Sequence, residues 1–168
     1  MTRTFTSASA NKYLRTLDDE KFHLLEQERE ACVYTRAAGE ADEPPAYRYD
    51  DVRAQVAAID AQARAIRHAL HLFNATTTLP ESGITIDEAL IKLAQLSNLK
   101  DTLSQMRDRR EKERVTSTFT RSEMIEYRYA NYDIAQAAAD YSAVLEQIAS
   151  LQLEIDLANQ TRTFEVEL

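Results

Sequence analysis

The sequence contains one Glu-x-x-His step, Glu20 and His23, a spacing that puts a carboxylate and an imidazole on one face of a helix. A carboxylate-bridged di-metal site in a helical protein needs two such steps, plus a glutamate from each of two further helices. Only this step is present. The other two histidines, His68 and His71, flank an apolar seam at outward positions. Glu20 and His23 are therefore weak metal candidates, and the residues point to no metal, no other cofactor and no catalytic constellation.

Other chemistry-bearing residues are few. The run RDRREKER (107–114) holds five basic and three acidic residues. It reads either as a phosphate-binding patch or as a solvated helix face laced with pairs such as Asp108–Lys112. A net charge of −8 favours the solvated face and weighs against a nucleic-acid partner. Cys32 is the single cysteine, which excludes an intrachain disulfide. No histidine is placed beside it, so it reads as a small buried apolar residue rather than a nucleophile. Asn74-Ala75-Thr76 matches a glycosylation sequon, but the N-terminus has no apolar signal core, so the match reads as incidental. With 2 glycines the chain has no Gly-rich phosphate loop.

Tyr-Arg-Tyr occurs twice, at 47–49 and 127–129, each time shortly before a helical run. Tyrosine offers rigid contact area with a polar tip, as recognition surfaces do. Tyr47, Tyr49, Tyr127, Arg128, Tyr129 and Tyr132 are thus a candidate partner surface. The competing reading is that the tyrosines plug the end of a bundle, with Asp50 and Asn131 capping the helices that follow.

The elements that must position these residues are helical. In 168 residues there are only 2 Gly and 3 Pro, and apolar residues make up 44%. Such a composition is globular and favours long helices. Four runs emerge, at roughly 9–38, 50–76, 86–115 and 132–159. Each would be about 40–45 Å long. In the second, Val52, Val56, Ile59, Ala63, Ile66, Leu70 and Phe73 are spaced 4,3,4,3,4,3, a heptad seam. The fourth matches it through Ile134, Ala137, Tyr141, Val144, Ile148, Leu151, Ile155 and Ala158. The third opens on a capping box, Thr85 with Glu88, and carries Leu90, Leu93, Leu96, Leu99, Leu103 and Met106. The first is less regular, with Lys21 and Glu28 interrupting its stripe and Gly39 marking its end.

Loop reach constrains the topology. The 39–49 and 77–85 connections span at most about 36 and 30 Å, too short to run the length of a bundle. The first three helices are therefore expected to be antiparallel neighbours. The 116–131 stretch reaches about 50 Å, which leaves open an antiparallel return or a crossover before the fourth helix. Its end alternates with period two, as do TRTFT (2–6) and TRTFEVEL (161–168). These read as extended segments, and the two terminal ones could pair over the helices. Leu145, Leu153 and Leu157 lie off the seam of the fourth helix. A second apolar face must be covered, either by one of the extended segments or by another copy of the chain.

From Gly39 onward the order of motifs resembles the septicolysin-like family of small helical bacterial proteins. The carrying stretches are GEADEPP (39–45), NATTTL (74–79), GITIDEAL (83–90), TRSE (120–123) and LANQT (157–161), which together span some three-quarters of the chain. Two features depart from that pattern: the extended N-terminus, and Gln160 where an aromatic residue is expected. The resemblance implies a helical bundle and brings no catalytic residues.

These readings converge on an all-α, antiparallel four-helix bundle, a single domain over 1–168 with coiled-coil-like helices and extended terminal segments. The expected role is a cytoplasmic interaction or scaffold protein that self-associates and could bind a protein partner. One rival is a membrane-active toxin of the septicolysin-like kind. Against it, every helix has a charged outer face, and no 18-residue apolar run is present. A metal-dependent helical-bundle enzyme ranks third.

Overall fold

The two ends of the chain meet in a ribbon. In a computed structural model, which describes residues 1–41, 43–115 and 125–168, strand β1 (Thr2–Thr6) pairs antiparallel with strand β4 (Thr163–Glu167). Phe5 stands opposite Phe164, and Arg3 opposite Val166. Period two puts these four side chains on one face. Phe5 and Val166 are buried there, and the Phe164 ring lies 5.0 Å from that of Phe73. A two-stranded ribbon is marginal alone. This one is held by burial against helices α1 (Ser7–Ala31) and α2 (Tyr49–Thr76).

Local signals explain where the helices start. Thr6 leaves β1 and caps α1, accepting from the Ser9 N–H at 3.1 Å while Ser9 Oγ accepts from the Thr6 N–H at 2.8 Å. Helix α3 (Ile86–Arg107) opens on the expected box: Thr85 Oγ1 accepts from Glu88 at 3.2 Å, and the Glu88 carboxylate accepts from the Thr85 N–H at 2.8 Å. Helix α4 (Ile134–Thr161) is capped by Asp133, not Asn131; its Oδ1 accepts from Ala135 at 2.8 Å. Helix α2 begins after Arg48 with no side-chain cap, and Asp50 sits inside its first turn.

The fold is mixed α/β, which corrects the all-α expectation: among the described residues, four helices are accompanied by two antiparallel two-stranded sheets. The second sheet pairs β2 (Lys112–Arg114) with β3 (Tyr127–Tyr129). It shortens α3, which stops at Arg107 instead of continuing to 115. Backbone groups beyond that point are taken by the ribbon, with Ala130 donating to Glu111 and Val115 to Glu126, each at 3.0 Å. Residues 116–124, with the TRSE motif, lie outside the described residues. Helix α1 also ends early, at Ala31 rather than 38. Its next seam positions would be Thr35 and Ala38, which offer little to bury.

The chain divides into two compact units, Met1–Thr77 with Leu157–Leu168, and Thr78–Asp156. Each has its own core cluster. In the first, Phe5, Ala10, Leu14, Leu17, Ala63, Ile66 and Val166 pack together. In the second, Leu96 and Leu103 of α3 meet Val144 of α4, flanked by Met106, Tyr141 and Ile148. Within that unit α3 and α4 are antiparallel neighbours. Arg107, at the end of α3, lies over the ring of Tyr141, near the start of α4, at 3.8 Å, so no crossover joins them. The α2 and α4 seams are buried or half-buried at every expected position. The α3 seam is not as expected: Ile86, Ala89, Leu93, Leu96 and Leu103 turn inward while Leu90 and Leu99 are exposed.

Candidate functional site

The residues that break the apolar stripe of α1 build the most chemically distinctive site. Ala10, Leu14, Leu17, Lys21, Leu24, Glu28 and Ala31 are spaced 4,3,4,3,4,3, and all seven are buried or half-buried. Lys21 and Glu28 are therefore seam residues, kept tolerable by partners on α2. Lys21 Nζ meets Asp60 at 2.7 Å. Glu28, whose side chain is 16% exposed, binds Arg53 through one carboxylate oxygen. Its other oxygen accepts the Tyr47 hydroxyl at 2.9 Å. A charge so far out of water requires such pairing.

This constellation edges an open cleft of about 690 Å³, walled by Leu24, Glu28 and Ala31 of α1, the Pro44–Tyr47 approach, and Val52 and Gln55 of α2. Burial, followed by the hydrogen bond to anionic Glu28, pushes the Tyr47 phenol up from its ordinary value. Tyr49 lies on the outer side, 61% exposed, with the Arg53 guanidinium 5.6 Å from its ring. The mixed apolar and polar lining suits an amphipathic partner.

The second triplet lies in the other unit, on the β2–β3 ribbon. Register pairs Lys112 with Tyr129, Glu113 with Arg128 and Arg114 with Tyr127. Opposed residues share a face and neighbours alternate. Lys112, Arg114, Tyr127 and Tyr129 therefore occupy one face, with Glu113 and Arg128 on the other. Lys112 Nζ lies 4.1 Å from the Tyr127 ring centre and 5.5 Å from that of Tyr129. Tyr132 serves the fold instead, its hydroxyl donating to the Met106 carbonyl at the end of α3 at 2.7 Å. The six residues expected to form one partner surface thus divide: Tyr47 and Tyr49 in one unit, the others in the second, with Arg128 facing away from Tyr127 and Tyr129.

The remaining candidates stand as follows. Glu20 and His23 are both exposed, and no group of three potential metal ligands occurs among the described residues. Cys32 is exposed at the C-cap of α1, not buried, because the seam has already ended there. On α4, Leu145, Leu153 and Leu157 are 41%, 72% and 59% exposed. At 100° per residue they cover a sector roughly opposite Val144, Leu151 and Ile155, which are buried. Among the described residues no helix is long and apolar enough to cross a membrane.

One residue with a clear role went unread. Glu154 is buried, and its carboxylate accepts the backbone N–H of Glu81 at 2.6 Å and of Ser82 at 3.2 Å. Burial alone would raise its pKa. The Glu81 amide, the Ser82 side chain and the Ser82 amide together outweigh burial and hold the carboxyl below its usual range. The available signal was position: Glu154 falls three residues after Leu151 and four before Ala158, on the seam side of α4. It borders a hollow of about 220 Å³ with Lys92, Gln147 and Ser150.

No family model matches the chain. No curated protein matches it either. Among solved structures, the chain is similar to one described as the crystal structure of a functionally unknown conserved protein from Corynebacterium diphtheriae. The two are 17% identical, with a TM-score of 0.56, over 98% of this chain and 100% of that one. That likeness extends to the fold alone.

Proposed function

We propose that the protein is an interaction protein that works as a homo-oligomer, joined through the outer face of α4. The observation that carries this reading is the helix's second apolar face. Leu153 is 72% exposed and Leu145 41%, although the seam on the other side of the same helix is fully used. Ala138, Ser142 and Ala149 lie in the same sector, where another helix can approach closely, with Glu146 and Asp156 also in it. A stripe of this kind is self-complementary about a two-fold axis, the commonest symmetry of soluble oligomers.

Light scattering across a dilution series tests the proposal. The wild-type chain is expected to show a dimer or higher species at tens of micromolar. Leu153→Glu buries a charge in the joint, costs about 2 kcal/mol or more, and shifts the chain to monomer with unchanged circular dichroism. A wild-type monomer at all concentrations up to the millimolar range, or assembly that ignores Leu153→Glu, would overturn the reading.

A further inference from the structure

The expectation against nucleic acid rests on net charge, and net charge says nothing about how charge is sorted. On the β2–β3 ribbon it is sorted by face. The ladder extends one step beyond the strands on each side, through Glu111 with Ala130 and Val115 with Glu126. Alternation therefore puts Glu111, Glu113 and Glu126 on the face of Arg128. The opposite face carries two cations and two tyrosines with no acid among its strand residues: Lys112, Arg114, Tyr127 and Tyr129. All four are exposed. Neither Lys112 nor Arg114 has a salt-bridge partner among the described residues. The tyrosine ring centres are 6.5 Å apart on one strand.

We infer that this face binds single-stranded nucleic acid. Base rings stack on Tyr127 and Tyr129 as the Lys112 ammonium, which lies 4.1 Å from the Tyr127 ring centre in the free protein, swings off the rings to a phosphate, and Arg114 meets the next one. An acidic polypeptide would use the two cations and leave the exposed rings without a role; a single strand uses both. A duplex keeps its bases stacked inside and offers the tyrosines nothing. The sugar is not discriminated, since the interaction is through base faces and phosphates. The rest of the chain, at net −8, repels a polyanion, so affinity is modest, about 10–100 μM, within the range of non-specific binding at physiological salt. Two phosphate contacts give a shallow salt dependence, a slope of log K against log salt of about −1.4 for a single strand. The inference is independent of self-association through α4.

Fluorescence anisotropy with fluorescein-labelled dT12 and U12 tests it on the full chain. Both probes are expected to bind comparably, and a 12-base-pair duplex at least tenfold more weakly. Tyr127→Val with Tyr129→Val keeps strand propensity and removes both rings; at least a tenfold loss is expected. Lys112→Gln with Arg114→Gln should flatten the salt slope. Arg128→Gln, on the other face, should change affinity less than twofold, and this separates face from fold if the tyrosine variant proves unstable. Three results would each overturn the inference: dT12 unbound at 100 μM, displacement of dT12 by polyglutamate at equal charge concentration, or an Arg128→Gln loss matching that of Lys112→Gln with Arg114→Gln.

Discussion

Glu28, at a seam position of α1, and Glu154, beside the seam of α4, are acids drawn out of water, and each is stabilised differently. Glu28 is matched by a guanidinium and a phenol, Glu154 by two backbone amides. A scan that counts only apolar residues misses both. Counting every residue at heptad positions finds Glu28 and Lys21, because a charge at such a position needs a partner on the facing helix. Tyr47 supplies the first prediction. Its folded pKa is raised, so its contribution to stability is complete below the unfolded tyrosine value of about 10 and is lost as pH rises through the higher folded value. Absorbance titration of the tyrosinate should show a late component above pH 10 that Tyr47→Phe deletes. Its persistence in that variant would assign it elsewhere. Glu154 gives the opposite sign. Its folded pKa is depressed, so its contribution is present above the unfolded glutamate value of about 4.3 and lost as pH falls through the lower folded one. Glu154→Ala leaves the Glu81 and Ser82 amides without their acceptor and should cost about 2–3 kcal/mol at neutral pH. The gap between wild type and variant should close on acidification below pH 4. A denaturant midpoint series at pH 7, 5 and 3 measures both effects.

At the scale of elements, legibility followed the strength of the repeating pattern. The α2 and α4 seams could be read residue by residue, because seven or eight positions agreed on one period. In α3 the leucines alone misled, since Leu90 and Leu99 are outward and the inward set uses Ile86 and Ala89. Helix ends were harder. Residues 108–115 have helix-forming composition, yet Lys112–Arg114 forms a strand. That choice depends on a partner strand far along the sequence, which no local propensity encodes. The terminal ribbon was legible because both segments alternate and both carry Thr-Arg-Thr-Phe, at 2–5 and 161–164. Its stability should rest on Phe5, which is 4% exposed and reaches both Tyr13 and Phe164. Phe5→Ala should cost about 3–5 kcal/mol, whereas Thr4→Ala, on the solvent face of the same strand, should cost less than about 0.5 kcal/mol. Thermal melts of the two variants separate a buried strand from a decorative one.

At the scale of the molecule, composition announced the helices, and the all-α class drawn from it gave the extended segments too little weight. Four helices of bundle length suggest one shared core. The first compact unit joins Met1–Thr77 with the chain's own last residues, Leu157–Leu168, and Thr78–Asp156 forms the second. Low glycine content cannot reveal this division, because it arises from pairing between residues more than 150 positions apart, such as Thr2 with Glu167. A deletion tests it. Removing residues 163–168 takes away β4, with Val166 from the core of the first unit and Phe164 from the ring contact with Phe73. The loss is about 3–5 kcal/mol from apolar burial alone. Hydrogen exchange should then show the amides of α1 and α2 losing protection by at least a hundredfold, while those of Ile86–Arg107 lose less than tenfold. Equal loss across both sets would mean that the chain unfolds as one cooperative body, and that the two units are a feature of packing rather than of stability.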